Sequence, residues 1–192
     1  MLFMFDMGNV IIKDITTLDK IAKRFNIDYS EIRRDYELYG VPLTEGFMDT
    51  DDYYRHLEIK YGIKIDEDVF KVYFNPTVNS PMISFVDKLR ANGHRVVIAS
   101  NTFKPHWDYI LTLKSEVIDH FDALYASHII NRAKPDKAFY SYIIEKEGYS
   151  SDECVFIDDR IDNIEGAESL GIKCFNYLFD DDKAERFFKD YL

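Results

Sequence analysis

The sequence predicts an α/β fold, a parallel sheet covered by helices on both faces, with a helical segment inserted after the first strand. Three observations carry this. The chain opens with a short apolar run, Leu2-Phe3-Met4-Phe5, that ends in a carboxylate at Asp6. From Asn79 onward strand-like and helix-like segments alternate, the pattern of parallel strands joined by right-handed crossovers. Between these parts, residues from about Ile15 to Phe74 hold no convincing strand. The expected architecture is a Rossmann-like three-layer αβα core built from residues 1–14 and 79–192, interrupted by a helical cap over residues 15–78.

The inserted segment reads as helices over Thr17–Phe25, Ser30–Leu38, Thr50–Tyr61 and Asp66–Phe74, with Ser30 and Asp66 as caps. Breaks fall at Asn26, at Gly40-Val41-Pro42, at Glu45-Gly46 and at Gly62. Its aromatic residues, among them Tyr36, Tyr39, Tyr53, Tyr54 and Phe70, supply the core of a small bundle. A helix then starts at Ser80-Pro81, with proline in its first turn, and runs to Arg90. Strands follow at Arg95–Ala99, Ala123–Ala126, Cys154–Ile157 and Ile172–Phe175, separated by helices at Asp136–Glu147 and Ile161–Leu170. Asp180-Asp181-Asp182 reads as the solvated start of the last helix, where acidic charge is favourable.

A chain of 192 residues, 46% hydrophobic and 16% aromatic, can bury one substantial core. The net charge of −11, with no basic stripe, argues against a nucleic-acid or anionic-membrane surface. An anionic substrate therefore has to be captured by local cations or a metal. Cys154 and Cys174 lie in strand-like runs and read as reduced, buried thiols. The apolar start is too short for a signal peptide or membrane span, and Asp6 interrupts it. A cytoplasmic, soluble protein is expected; its oligomeric state is not legible.

Four strand ends offer polar groups to one crevice: Asp6, Ser100-Asn101, the loop leading to Lys134, and Asp158-Asp159. In open α/β sheets ligands bind outside the carboxyl ends of the strands. Taken singly, each group has a structural reading at least as good, as a cap, a helix start or a surface lysine. Taken together, three carboxylates side by side require a cation or a shared proton.

The chain resembles the haloacid dehalogenase superfamily of phosphohydrolases through four motifs. These are Phe5-Asp6-Met7-Gly8-Asn9-Val10, then Val97-Ile98-Ala99-Ser100-Asn101-Thr102, then Ala133-Lys134-Pro135, and Phe156-Ile157-Asp158-Asp159-Arg160-Ile161-Asp162-Asn163-Ile164-Glu165-Gly166-Ala167. Phe-Asp-x-Gly-Asn-Val, Gly93-His94-Arg95-Val96-Val97 and Asp162–Ala167 resemble its bacterial α-D-glucose-1-phosphate phosphatase branch. The resemblance implies Asp6 as nucleophile, attacking phosphorus to form an aspartyl phosphate that water cleaves. It implies Mg²⁺ held by Asp6, Asp159 and the main-chain carbonyl of Gly8, with Asp158 binding directly or through water. Ser100 and Asn101 would hold phosphoryl oxygens, and Lys134 would pair with both Asp6 and the phosphoryl group. The turn Thr44-Glu45-Gly46-Phe47 is the candidate specificity loop, with Glu45 and Gly46 as substrate contacts. Lys13, Asp14, Arg160 and His106-Trp107-Asp108 are further candidates for the crevice wall, and no histidine is given a catalytic role.

One position departs from the resemblance. Phosphatases of this superfamily usually carry a second aspartate two residues after the nucleophile, as proton donor to the leaving oxygen; here that position is Gly8. Either glycine serves a tight turn, or the enzyme favours good leaving groups, as in a sugar 1-phosphate. The expected partner is a small phosphorylated metabolite, with no nucleic acid and no membrane. The alternatives are a metal-free haloacid dehalogenase using the same Asp6 nucleophile, and a catalytically silent sugar-phosphate or Mg²⁺ binding module.

Overall fold

The computed structural model describes residues 1–192. Strand β1 (Leu2–Phe5) and a two-residue strand β2 (Ile12–Lys13) lead into helices α1 (Leu18–Phe25), α2 (Tyr29–Thr44), α3 (Thr50–Tyr61) and α4 (Val69–Tyr73). The chain returns through β3 (Thr77–Val78) into α5 (Ser80–Ala91), β4 (Arg95–Ser100), α6 (Lys104–Ile110) and β5 (Ala123–Ala126). Then come α7 (Ser127–Ile130), α8 (Lys137–Glu147), β6 (Cys154–Asp158), α9 (Ile161–Glu168), β7 (Lys173–Asn176) and α10 (Asp181–Phe188).

Five strands form one parallel sheet in the order β5-β4-β1-β6-β7. This makes it the expected three-layer α/β fold. In β1, Leu2 and Met4 point to one face, Phe3 and Phe5 to the other, and both faces are covered, so the strand reads as continuously apolar rather than alternating. One face packs Phe3, Phe5, Ile98 and Ile157 against Met82, Val86 and Leu89 of α5 and Phe188 of α10. The other packs Met4, Val97 and Phe156 against Phe139 and Ile143 of α8 and Ile164 and Ala167 of α9. No helix is long and apolar enough to cross a membrane.

The topology sets the site. β1 pairs with β4 on one side and β6 on the other, with Phe5 opposite both Ile98 and Ile157. Asp6 and Asp158, one residue past these register pairs, and Ser100, two residues past Ile98, therefore emerge together at one end of the sheet.

Helices α1–α4 bury their own cluster, centred on Ile21, Ile32, Leu43, Tyr53, Leu57 and Phe70. Phe103, from the segment after β4, enters this cluster, its ring 4.9 Å from that of Phe70. His106 of α6 stacks on Phe74 at 4.0 Å.

Helix α2 differs most from expectation, continuing through Pro42 to Thr44 instead of stopping before Gly40. Proline removes the bond to the carbonyl four residues back, here that of Leu38, which lies on the exposed side. Burial of Leu43 and a 2.8 Å bond from Thr44 Oγ1 to the Gly40 carbonyl hold the last turn. The N-caps of α2 and α4 are Asp28 and Asp68, not Ser30 and Asp66, because these carboxylates accept the first free amides. The antiparallel pair β2–β3, in which Ile12 faces Val78, is too short to leave a periodicity in the sequence. It ties together the two crossings into the helical segment, and Thr77 Oγ1 donates to Asp14 at 2.8 Å beside it.

Phe103→Ala is expected to cost about 3 kcal/mol of unfolding free energy. Urea denaturation checks this; a loss below about 1 kcal/mol would show that Phe103 does not anchor the helical segment.

Candidate active site

Asp6 sits just past β1, with its amide donating to the Ile157 carbonyl at 2.8 Å. Lys134 is fully enclosed and its Nζ lies 2.7 Å from Asp6 Oδ1 and 2.7 Å from Asp158 Oδ2. Asp158 ends β6 with no exposure; its Oδ1 also accepts from the Arg160 amide at 2.8 Å, and Asn163 Nδ2 reaches both its oxygens at 3.1 Å. Asp159, half-buried, accepts from Asn9 Nδ2 at 3.0 Å. Asp6, Asp158 and Asp159 each offer an oxygen, and these lie within 4.8 Å of one another.

Three carboxylates thus face one ammonium. Burial pushes the Asp6 carboxyl up to about 7; Lys134 opposes the rise, and Asp158 and Asp159 add to it. Burial also raises Asp159. For Lys134, burial acts to lower the pKa, but the pull of Asp158 and Asp6 outweighs it and the amine is held charged. This all-oxygen set with excess negative charge fits a hard divalent cation such as Mg²⁺.

The loop carrying Lys134 is held in place from several sides. Asn101 Nδ2 donates to the Lys134 carbonyl at 2.8 Å, and Asn101 Oδ1 accepts from the Lys134 amide at 2.9 Å. A Cβ at Gly166 would fall 2.5 Å from the Pro135 carbonyl oxygen, so only glycine lets α9 approach this loop so closely. Ser127 Oγ donates to the Thr102 carbonyl and accepts from its amide, bracing the segment after Ser100.

Above this base opens a cleft of about 430 Å³, lined by Gly8, Ile15, Ser100, Asn101 and Arg160 and by helical-segment residues including Leu18, Arg33, Tyr36 and Thr44. Ser100, the expected phosphoryl contact, is on its wall. Asn101 also lines it, but its amide is engaged with the Lys134 backbone, which gives it a positioning task the sequence reading did not foresee. Asp158 is equally committed: its oxygens already meet Lys134, Asn163 and the Arg160 amide, which leaves Asp6 and Asp159 as the open carboxylates.

The turn at Glu45 and Gly46 lies elsewhere. The Glu45 carbonyl accepts from Asn131 Nδ2 at 2.7 Å, and Gly46 packs on the His128 carbonyl, where a Cβ would fall at 2.4 Å. Neither residue, expected as a substrate contact, lines this cleft; their backbones dock the helical segment against α7, and Thr44 is the residue of this turn that reaches the cleft. Arg160 and His106 line the cleft as expected, whereas Trp107 is buried and Asp108 pairs with Lys104. Lys13 and Asp14 belong to the ribbon, with Lys13 over the Phe179 ring. Cys154 and Cys174 are free thiols.

Asn9, Asn163 and Gly166 are supporting residues that the sequence reading did not assign. Asn163 left one trace: it is a polar residue on the buried stripe shared by Ile164 and Ala167.

A parallel α/β sheet that gathers three carboxylates around a buried lysine at adjacent strand ends has the make-up of a hydrolase site. A model of the haloacid dehalogenase-like hydrolases matches residues 1–171, and the chain belongs to this family. It is 26% identical over 176 residues to the sesquiterpene phosphatase astK of Aspergillus oryzae, covering 88% of this chain and 85% of that one. It is 24% identical over 182 residues to phosphatase MT3486 of Mycobacterium tuberculosis, covering 89% and 84%. A match to the drimenol cyclase drtB of Aspergillus calidoustus, 26% identical, takes in 88% of this chain but 32% of that longer protein. Among solved structures, the fold is shared with the enzyme bt-2542 of Bacteroides thetaiotaomicron in its magnesium complex (TM-score 0.81, 21% identity, 96% of each chain). It is also shared with a HAD-like hydrolase of Porphyromonas gingivalis (TM-score 0.77, 21% identity, 97% of each chain).

The raised Asp6 pKa has a measurable consequence. Between the ordinary carboxylate range and about 7, the folded protein binds a proton that the unfolded chain releases, so metal-free stability falls as pH rises through this window. Asp6→Asn is therefore expected to raise the melting temperature in EDTA at pH 8 by several degrees and to change it little at pH 5. Equal shifts at both pH values would refute the assignment.

Proposed function

We propose that the protein is an Mg²⁺-dependent phosphohydrolase that cleaves a small phosphorylated metabolite through an aspartyl phosphate at Asp6. The observation that carries this reading is Lys134 Nζ held 2.7 Å from Asp6 within a cluster of three carboxylates. A carboxylate cannot approach a phosphate dianion unless local positive charge offsets their repulsion. Lys134 supplies one charge. Asp6, Asp159 and the Gly8 carbonyl would hold Mg²⁺, whose charge would neutralise the incoming phosphoryl oxygens.

In the first step an Asp6 oxygen forms a bond to phosphorus as the ester P–O bond breaks, and the leaving oxygen departs with that electron pair. In the second, water attacks the same phosphorus, the Asp6–phosphorus bond breaks, and inorganic phosphate leaves. Ser100, on the cleft wall, is the group to hold a phosphoryl oxygen during both steps. Asp158 acts behind the site, keeping Lys134 charged and pointed at Asp6, while Asn101 fixes the lysine's backbone. The helical segment, taken as a cap over residues 15–78, forms the wall on which the leaving group rests. A sugar 1-phosphate suits a site with glycine at position 8, because an anomeric hydroxyl is more acidic than an ordinary alcohol. That the matched relatives astK and MT3486 are phosphatases supports the reaction class.

The purified protein is expected to release phosphate from a panel of sugar 1-phosphates, aryl phosphates and acyl phosphates with Mg²⁺, and to lose the activity in EDTA. Asp6→Asn should reduce turnover at least 1000-fold, and beryllofluoride should modify wild type at Asp6. Chloride release from 2-chloropropionate without Mg²⁺, in place of phosphate release, would assign the dehalogenase chemistry. Ligand binding with no Asp6 modification would assign a binding module.

Lys134→Ala is expected to abolish turnover and also destabilise the fold by about 3 kcal/mol, since it leaves the Asp158 carboxylate buried without its cation. Lys134→Met, checked by chemical denaturation at pH 5 and pH 8, should be better tolerated at pH 5, where a buried carboxylate can take up a proton.

A further inference from the structure

Gly8 is the residue of the cleft floor that the phosphatase reading leaves unexplained. Its backbone does not demand glycine, for it is absent from the residues with positive φ, unlike its neighbour Asn9. The space beside it is, however, already filled. A Cβ built on Gly8 would point past Asp6, 4.0 Å from Oδ2, and would fall 2.6 Å from Cδ1 of Ile15. The volume a side chain at position 8 would use, directly beside the nucleophile, is taken by the Ile15 methyl. Ile15 follows the β2–β3 ribbon, lines the cleft and packs against the core on the Phe5 face of the sheet.

No carboxylic acid among the residues lining the cleft replaces the missing proton donor. The ionisable side chains lining the cleft are Tyr29, Arg33, Tyr36, His106 and Arg160. A guanidinium holds its proton too tightly to give it up, and the Tyr36 ring packs against Tyr53 and Phe70 in the helical cluster, where burial pushes its phenol up to about 12. His106, buried against Phe74, is pushed down to about 3 and has no proton to give.

We propose that Ile15 is a specificity-determining residue: its side chain fills the proton-donor position beside Asp6 and restricts the enzyme to phosphate esters of acidic hydroxyls. Such leaving groups, whether phenolic, anomeric or carboxylic, depart as stable anions when the ester P–O bond breaks and take their proton from solvent afterwards. Unactivated alkyl phosphates need the proton during bond breaking and are poor substrates. This rests on the phosphatase reading and names the substrate class for it.

The test is the dependence of kcat/KM on leaving-group pKa, measured with Mg²⁺ over nitrophenyl, phenyl and alkyl phosphates. General-acid catalysis contributes typically about 100- to 10,000-fold, so wild type is expected to lose at least 100-fold between nitrophenyl and alkyl esters. Gly8→Asp alone should not recover alkyl hydrolysis, because the new side chain meets Ile15. Gly8→Asp/Ile15→Ala should raise alkyl phosphate hydrolysis at least 10-fold over Gly8→Asp and flatten the dependence; Gly8→Asp/Ile15→Val repeats the comparison with less packing removed. A flat dependence in wild type, or full recovery in Gly8→Asp alone, would overturn the role of Ile15 while leaving the phosphatase reading intact. Failure of wild type to release phosphate from any ester would instead remove the reading on which the inference stands.

Discussion

The structure depends on one buried ammonium. Lys134 is enclosed, and at 2.7 Å it bridges the carboxylates that end β1 and β6. Without it, two acidic residues emerging from adjacent parallel strands would repel each other across a few ångströms of poorly solvated space. With it, one charge remains in excess before Asp159 is counted. That imbalance is what makes this cluster a candidate cation site: the fold neutralises enough charge to hold the strands together and leaves enough to favour a divalent ion. Buried ion pairs are seldom worth their desolvation as stabilisers, so this arrangement is better understood as chemistry kept at some expense of stability.

The surrounding side chains follow from the need to hold that amine still. A lysine has a long, mobile stem, and its usefulness here comes from restraint at both ends. Asn101 fixes the backbone by a reciprocal pair of bonds, and Gly166 lets α9 press on the adjacent Pro135 carbonyl. Asp158 fixes the charged tip and is itself fixed by Asn163 and the Arg160 amide. Asn101 comes from the end of β4, and Asp158, Arg160, Asn163 and Gly166 from the end of β6 and the helix that follows it, so the parallel sheet aligns them without any long-range device.

The fold class and the candidate site residues at the strand ends are legible in the sequence for the same reason. A strand buried on both faces leaves an unbroken apolar run, and a polar or charged residue at its end is conspicuous; Asp6, Ser100 and Asp158-Asp159 are all of this kind. Lys134 has no such strand and was legible only through its motif. The supporting residues were less visible because their roles depend on contacts between distant segments: Asn101 with Lys134, Asn9 with Asp159, Gly166 with Pro135. A glycine turn in an inserted segment, such as Glu45-Gly46, looks alike in sequence whether it faces a ligand or packs, as this one does, on the His128 carbonyl. The extent of α2 was misjudged because Pro42 is a strong local signal, and burial of the next residue, Leu43, outweighed it.

The helical segment also bears on the chemistry through a short lever. It is docked on the α/β core at two places, by Phe70 and Phe74 against Phe103 and His106, and by Gly46 against α7. Its connection to the core is the two-stranded ribbon, and Ile15 lies two residues beyond the end of β2. The position of the Ile15 methyl relative to Asp6 is therefore set jointly by the ribbon and by the docking of the whole helical segment. A residue on the core could have filled the space beside Gly8 just as well. Ile15 packs on the α/β core and also lines the cleft beside the helical-segment residues Leu18, Tyr36 and Thr44, so substrate choice and leaving-group chemistry meet on one wall.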